Sequence, residues 1–225
     1  MDFKGDSMKK KVFFRGPLLT RSGYGEQSRF ALRALKSRED LFDIYIQPLQ
    51  WGKTSWMTED SVDRKWIDYT IEKTIAYAQQ GGQYDASFQV TIPNEWERIA
   101  PVNVGYTAGI ETTKVAHQWI PKGNEMDEIV VVSDHARDTY KDTVYTAEHT
   151  ETKQKMELKL TTPIRTVNYP AKVYESLPDI ELDLDFDFNF LTVAQAGPRK
   201  NLPQTVNWFV QEFQNDEVGL VLKTN

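Results

Sequence analysis

Between the apolar run Val12-Phe13-Phe14 and a helical pattern that starts near Glu26 lies Gly16-Pro17-Leu18-Leu19-Thr20-Arg21-Ser22-Gly23-Tyr24-Gly25. Strand, glycine-bearing loop and helix start, in that order, leave a chain few ways to fold. A helix start presents unpaired N–H groups and the positive end of the helix dipole, and glycines let an anion approach the backbone. The stretch therefore predicts a site for a phosphorylated ligand. It is a poor dinucleotide fingerprint, because Ser28 stands where the third glycine is needed and the pair Gly23-x-Gly25 comes well after the strand, so a nicotinamide-dependent oxidoreductase is the third-ranked reading. A Walker loop fails as well, since no Gly-Lys-Ser/Thr follows. What remains is a long loop with a glycine at each end; the alternative is a turn whose glycines serve backbone geometry alone.

The pattern then repeats. A strand over Lys10 to Arg15 leads into a helix over Glu26 to Lys36, with Phe30, Ala31, Ala34 and Leu35 on one face and Arg29, Arg33 and Lys36 on the other. A strand is predicted over Phe42 to Gln47, and a helix over Asp63 to Ala78 before the stop signal Gly81-Gly82. Tyr84 to Val90, Val102 to Tyr106 and Glu128 to Val132 read as strands, and Thr112 to Ile120 and Ala136 to Tyr145 as helices. Polar and apolar residues alternate over Thr150 to Leu160, predicting an inserted hairpin, and Pro163 to Asn168 is a last strand. Such alternation implies an α/β fold: a Rossmann-like parallel sheet with helices on both faces, whose ligands sit at the carboxyl ends of the strands.

Residues 8–175 are expected to form this first domain and 176–187 an acidic linker; 188–225 begin a second Rossmann-like βαβ unit. Its elements are a strand over Phe188 to Gln195, a helix over Leu202 to Phe213 and a strand over Val218 to Lys223. Phe190, Val193, Trp208, Phe209, Phe213, Val218, Leu220 and Leu222 are core-type side chains. Each contributes about 1.5 to 3 kcal/mol when buried, yet two parallel strands and one helix cannot cover them. The expectation is an incomplete second domain, completed by the first sheet, by further sequence or by a partner chain.

Composition narrows the function. With 27 basic and 33 acidic residues and a net charge of -6, the chain has no basic field for nucleic acid. It contains no cysteine, which removes disulfides, thiolate metal sites and cysteine nucleophiles. No apolar stretch reaches the roughly 20 residues that span a bilayer, and Met1 to Lys11 is too polar for a signal peptide. A cytoplasmic protein without a transmembrane segment is expected.

Gly197-Pro198-Arg199-Lys200-Asn201 mirrors the opening loop, since it follows a strand and precedes a helix. An Arg fork beside a Lys point charge suits a diphosphate. The opening Gly-Pro-x5-Ser-Gly-Tyr-Gly, the segment Tyr106-Thr-Ala-Gly-Ile-Glu111-Thr112 with Trp119 downstream, the strand Ile129-Val-Val-Val-Ser133 and Arg199-Lys200-Asn201 together resemble GT-B glycosyltransferases, in particular the retaining, family-4-like group. The resemblance runs from about Val12 onward. It implies two Rossmann domains across a cleft, the first binding acceptor and the second a nucleotide sugar. Gly23, Tyr24 and Gly25 would then lie near the donor phosphates, and Arg199 and Lys200 would neutralise the departing diphosphate. Thr107, Glu111 and Thr112 would meet the acceptor, a glycan, lipid or protein hydroxyl, with Glu111 orienting it; Glu111 reads equally as a helix N-terminal charge. No cofactor or metal is implied.

The family's Glu-x7-Glu element is not in this sequence, and the histidine often found at the cleft side of the first domain is replaced by Thr107 and Glu111. The alternative reading is a non-catalytic acceptor-binding or scaffold domain derived from such an enzyme. Ser133-Asp134-His135 reads as a helix N-cap rather than a triad, because triad geometry is spatial. His117 has no spaced partner for a metal, and Asp183-x-Asp185-x-Asp187 reads as a solvated linker. Tyr24, Trp51, Trp56 and Trp96 are candidates for stacking on sugar rings, or for the core.

Overall fold

A computed structural model describes residues 9–148, 153–171, 173, 176–177 and 179–224. Met8, the turn of the expected hairpin at 149–152, Glu175 at the expected domain boundary and Pro178 of the linker lie outside the described residues. The chain divides into two compact units, Met1–Ala171 and Lys172–Asn225.

The first unit runs β1 (Lys10–Gly16), α1 (Gly23–Lys36), β2 (Phe42–Pro48), α2 (Val62–Gln79), β3 (Ala86–Val90), β4 (Val102–Thr107), α3 (Trp119–Asn124), β5 (Glu128–Val131), α4 (Asp134–Asp142), β6 (Val144–Glu148), β7 (Lys155–Lys159) and β8 (Ile164–Thr166). Six strands form one sheet in the order β2-β1-β3-β4-β5-β8, every pair parallel. This is the α/β architecture expected from the alternating patterns. In register, Phe14 sits beside Ile46 on one side and Phe88 on the other. That face packs Phe14, Ile44, Ile46 and Val90 against Leu32 of α1 and Ile67 of α2. The opposite face buries Trp96, Ile129 and Val131 against Ile120 of α3 and Ala136 and Tyr140 of α4. Helices therefore cover both faces, as continuous apolar strands require.

One backbone donor of the edge strand β2 is taken by a side chain. Thr74 of α2 accepts the Ile46 N–H at 2.7 Å and donates its own proton to Thr70 O at 2.7 Å, so both hydroxyl functions are used in the interior. β6 and β7 form the antiparallel insertion between α4 and β8.

Four local expectations are corrected. The hairpin begins at Val144, earlier than Thr150, and α4 spans Asp134 to Asp142 instead of 136–145. Ser133 starts the helix by accepting the Ala136 N–H at 3.1 Å, while Thr143 turns extended and Tyr145 joins the strand, donating to Val115 O at 2.7 Å. Residues 112–120 do not form the predicted helix; Thr112 donates to Lys114 O at 2.9 Å, a side-chain bond that competes with helical turns, and Val115 runs into the core. Only Trp119–Asn124 is helical there, with Pro121 in the first turn, where its missing N–H costs no intrahelical bond. Arg29, placed by its spacing on the outer face of α1, is 9% exposed.

The second unit consists of β9 (Phe188–Val193), α5 (Leu202–Phe213) and β10 (Val218–Lys223), with β9 and β10 parallel. Phe190 packs 5.9 Å from Phe209 and 5.2 Å from Phe213, yet α5 buries no residue and Leu191 and Trp208 are more than 60% exposed. Two strands and one helix leave that much apolar surface in solvent. Among the described residues of both units, no helix is long and apolar enough to cross a membrane.

Candidate functional site

From β1 the chain crosses to β2 on one side and, from there, past β1 to β3 on the other. The loops leaving β1 and β3 thus diverge, and this switch point is where open α/β sheets bind ligands. The opening loop leaves β1 at this point.

Its shape is set from inside. Ser22 is extended and its hydroxyl accepts the Gly25 N–H at 2.9 Å, starting α1 at Gly23, three residues before the helical pattern in sequence. Thr20 closes a turn by donating its hydroxyl to Pro17 O at 2.8 Å. Arg29 reaches back from α1 and donates to Leu18 O at 2.8 Å and Thr20 O at 2.9 Å, while its other nitrogens hold Glu26. The segment after β2 lies over the loop: Leu49 N–H donates to Gly16 O, Arg21 N–H to Ser55 O and Met57 N–H to Leu19 O, and Arg21 pairs with Glu59. The predicted cradle is therefore mostly committed to itself. Its open donors at the helix start are the N–H groups of Gly23 and Tyr24.

The two glycines differ in kind. A Cβ on Gly25 would lie 2.1 Å from Thr20 O, so this glycine lets α1 pack on the loop. A Cβ on Gly23 would meet nothing within 4 Å. Gly23 is the one whose surroundings leave room for a ligand.

Tyr24 joins the loop to the rest of the edge. Its hydroxyl lies 2.8 Å from Thr107 Oγ1 at the end of β4 and accepts the Ala108 N–H at 3.2 Å. Its ring packs on Trp51 with centroids 4.4 Å apart. Burial pushes the phenol above its ordinary range, so it remains protonated at neutral pH. Tyr24 and Thr107, expected on the donor and acceptor sides respectively, are in direct contact, and Thr107 is fully buried. Its hydroxyl is engaged with Tyr24. Glu111 and Thr112 stand beyond this bonded set, exposed after the left-handed Gly109, where an added Cβ would lie 2.4 Å from Ala136 Cβ.

Other polar groups at this edge were not singled out from sequence. Gln27, one turn past Tyr24, is 2% exposed, accepts from the Tyr169 hydroxyl at 3.5 Å and bears on the Tyr106 phenol, whose rise through burial it opposes. Thr91, the residue after β3, is buried, and its hydroxyl has no hydrogen-bond partner among the described residues. Glu95 lies on the 3-10 turn Pro93–Glu95 beyond it; its carbonyl accepts from Arg15 Nη1 at 2.8 Å, and burial pushes its carboxyl up against the opposing pull of Arg15. The i, i+3 spacing of Gln27 from Tyr24 was the available signal.

Of the remaining candidates, Trp96 is buried over Gly105, Trp56 is exposed and His117 is exposed with its ring edge-on to Tyr145. Asp183, Asp185 and Asp187 are exposed, and among the described residues no three His, Asp or Glu side chains gather as a metal site. In the second unit, Arg199 and Lys200 lie exposed on the 3-10 turn Pro198–Lys200 between β9 and α5, followed by left-handed Asn201. Compared with protein-family models and with curated proteins, the sequence gives no match.

Proposed function

We propose that the chain belongs to a retaining GT-B glycosyltransferase, the first unit forming its acceptor-side domain and the second contributing to its donor-side domain. The reaction is transfer of a sugar from a nucleotide-sugar donor to a hydroxyl acceptor. The observation that carries this reading is the bond between Tyr24 and Thr107, which holds the open N–H groups at the start of α1 and the aromatic pair Tyr24–Trp51 at the carboxyl edge of one parallel sheet. Anion donors and a ring platform on one edge suit a sugar phosphate.

In that reaction the bond from the anomeric carbon to the diphosphate oxygen breaks as charge grows on the leaving group. In the first unit the Gly23 and Tyr24 N–H groups would stabilise negative charge and Glu111 would orient the acceptor hydroxyl; in the second unit, taken by itself, Arg199 and Lys200 are the candidate cations for a diphosphate. Thr107 acts through Tyr24, as a positioning residue. Isothermal titration with UDP- and GDP-sugars tests the reading: one class binds and Arg199→Ala with Lys200→Ala abolishes the binding. Failure of every sugar nucleotide to bind overturns it.

The small second unit, with two strands and one helix, favours a second reading, a non-catalytic acceptor-binding or scaffold domain. Turnover assays separate the two. Hydrolysis or transfer supports the enzyme; silence with retained acceptor binding supports the module.

A further inference from the structure

The outer side of α2 carries apolar residues where a surface helix is usually charged. Ile67, Thr70 and Thr74 are buried on the side that packs on β2. On the opposite side, at alternating steps of three and four residues, stand Val62, Lys65, Tyr69, Glu72, Ala76 and Gln79, all exposed. Val62 is 82% exposed and Tyr69 67%, and Ile75, 53% exposed, flanks them. One exposed apolar side chain needs no explanation, but this spacing lines several along a single strip. It is the spacing of a seam that packs against another helix.

The charges on the strip stand in reverse symmetry. Lys65 follows Val62 by three residues, Glu72 precedes Ile75 by three, and Tyr69 lies between them. Turned end for end, the order apolar, cation, tyrosine, anion, apolar sets anion on cation and apolar on apolar. A parallel copy would set Lys65 on Lys65 and Glu72 on Glu72. Among neighbouring charges, Arg64 holds Asp68 at 2.9 Å and Lys73 holds Asp43 at 2.8 Å. Lys65 lies 3.2 Å from Asp60, but both side chains are largely exposed, so the pair contributes little and the cation can be shared. Glu72 has no ion pair among the described residues.

We propose that the outer strip of α2 is a self-association surface, and that its occupant is α2 of a second copy of this chain laid antiparallel. With the two-fold axis at Tyr69, Lys65 of each copy meets Glu72 of the other, Val62 meets Ile75 and the small Ala76, and the two Tyr69 rings meet at the axis. A two-fold interface requires this self-complementarity. The helix has 18 residues and is therefore about 27 Å long. One such seam covers roughly 400 Å² per copy, half of a standard interface, so the dimer is weak and forms at about 0.1 mM chain. The strip lies wholly in the first unit, and the pairing is independent of any transfer reaction.

Sedimentation velocity of the whole chain from about 0.01 to 1 mM tests it. The sedimentation coefficient rises with concentration toward that of a dimer. Lys65→Glu and Glu72→Lys each set like charges across the seam twice, and each weakens association by about tenfold. The double variant restores opposite charges with their places exchanged and returns association to within about threefold of the parent chain. Both positions are exposed, and circular dichroism checks that every variant keeps its fold. A monomer at all concentrations overturns the proposal and leaves the strip to a partner of another sequence. A dimer indifferent to the single substitutions also overturns it and moves the contact elsewhere, for instance to the exposed Leu191 and Trp208 of the second unit. Failure of the double variant to recover overturns the antiparallel pairing itself.

Discussion

The Tyr24 hydroxyl lies 2.8 Å from Thr107 Oγ1, tying the first turn of α1 to the carboxyl end of β4 across 83 residues of sequence. Tyr24→Phe removes this bond and leaves the Ala108 N–H without its acceptor. The expected cost is about 1 kcal/mol, read as a lower urea midpoint at unchanged slope. Thr107→Val should cost a similar amount, and the double variant less than the sum, because both report one interaction.

Gly23 and Gly25 should respond in opposite ways to the same methyl group. Gly25→Ala forces the start of α1 away from Thr20 O and costs about 1 to 3 kcal/mol. Gly23→Ala enters open space at a helix start and leaves stability unchanged or raises it by up to about 1 kcal/mol. Thermal unfolding of the two variants decides; equal losses would show that the glycines share a role.

Arg29 is the internal brace of the opening loop. Arg29→Met leaves Leu18 O and Thr20 O without their donor and Glu26 without its partner, at an expected cost of about 2 to 4 kcal/mol. Arg29→Lys keeps the charge but not the fork, and should fall between. Denaturant titration of both variants checks the order.

Glu95 predicts a pH dependence with a definite sign. Its carboxyl is raised in the folded state, so the folded protein holds this proton at a pH where the unfolded chain has lost it. Its contribution is therefore fully present below the unfolded value and declines as pH rises through the folded one. Glu95→Gln should flatten that part of the stability curve and be the more stable protein at neutral pH. A wild-type advantage at pH 7 would contradict the assignment.

The architecture was legible because each strand of the central sheet and most helices announce themselves by local period: Val12 to Phe14 and Ile44 to Ile46 as apolar runs, Ile67 and Ile71 as one helical face. The loops were legible only where one side chain sets them, as Ser133 does at the start of α4. Residues 112–120 carried a helical period that Thr112 defeats with its own hydrogen bond. Arg29 shows a different limit. A helical wheel assigns it a direction, but a long side chain turns back to carbonyls that only the folded loop brings within reach. At the edge of the sheet, Gly23 and Tyr24 were readable as a helix start. The partnership of Tyr24 with Thr107, the burial of Gln27 beneath Tyr169 and the difference between Gly23 and Gly25 depend on distances across the fold, which no spacing in one sequence encodes.

A bare edge strand is a template for any passing chain. With the Ile46 N–H taken by the Thr74 hydroxyl, β2 has one donor fewer to offer such a visitor, so a threonine on a helix does for the margin of a sheet what a charge or a proline does elsewhere.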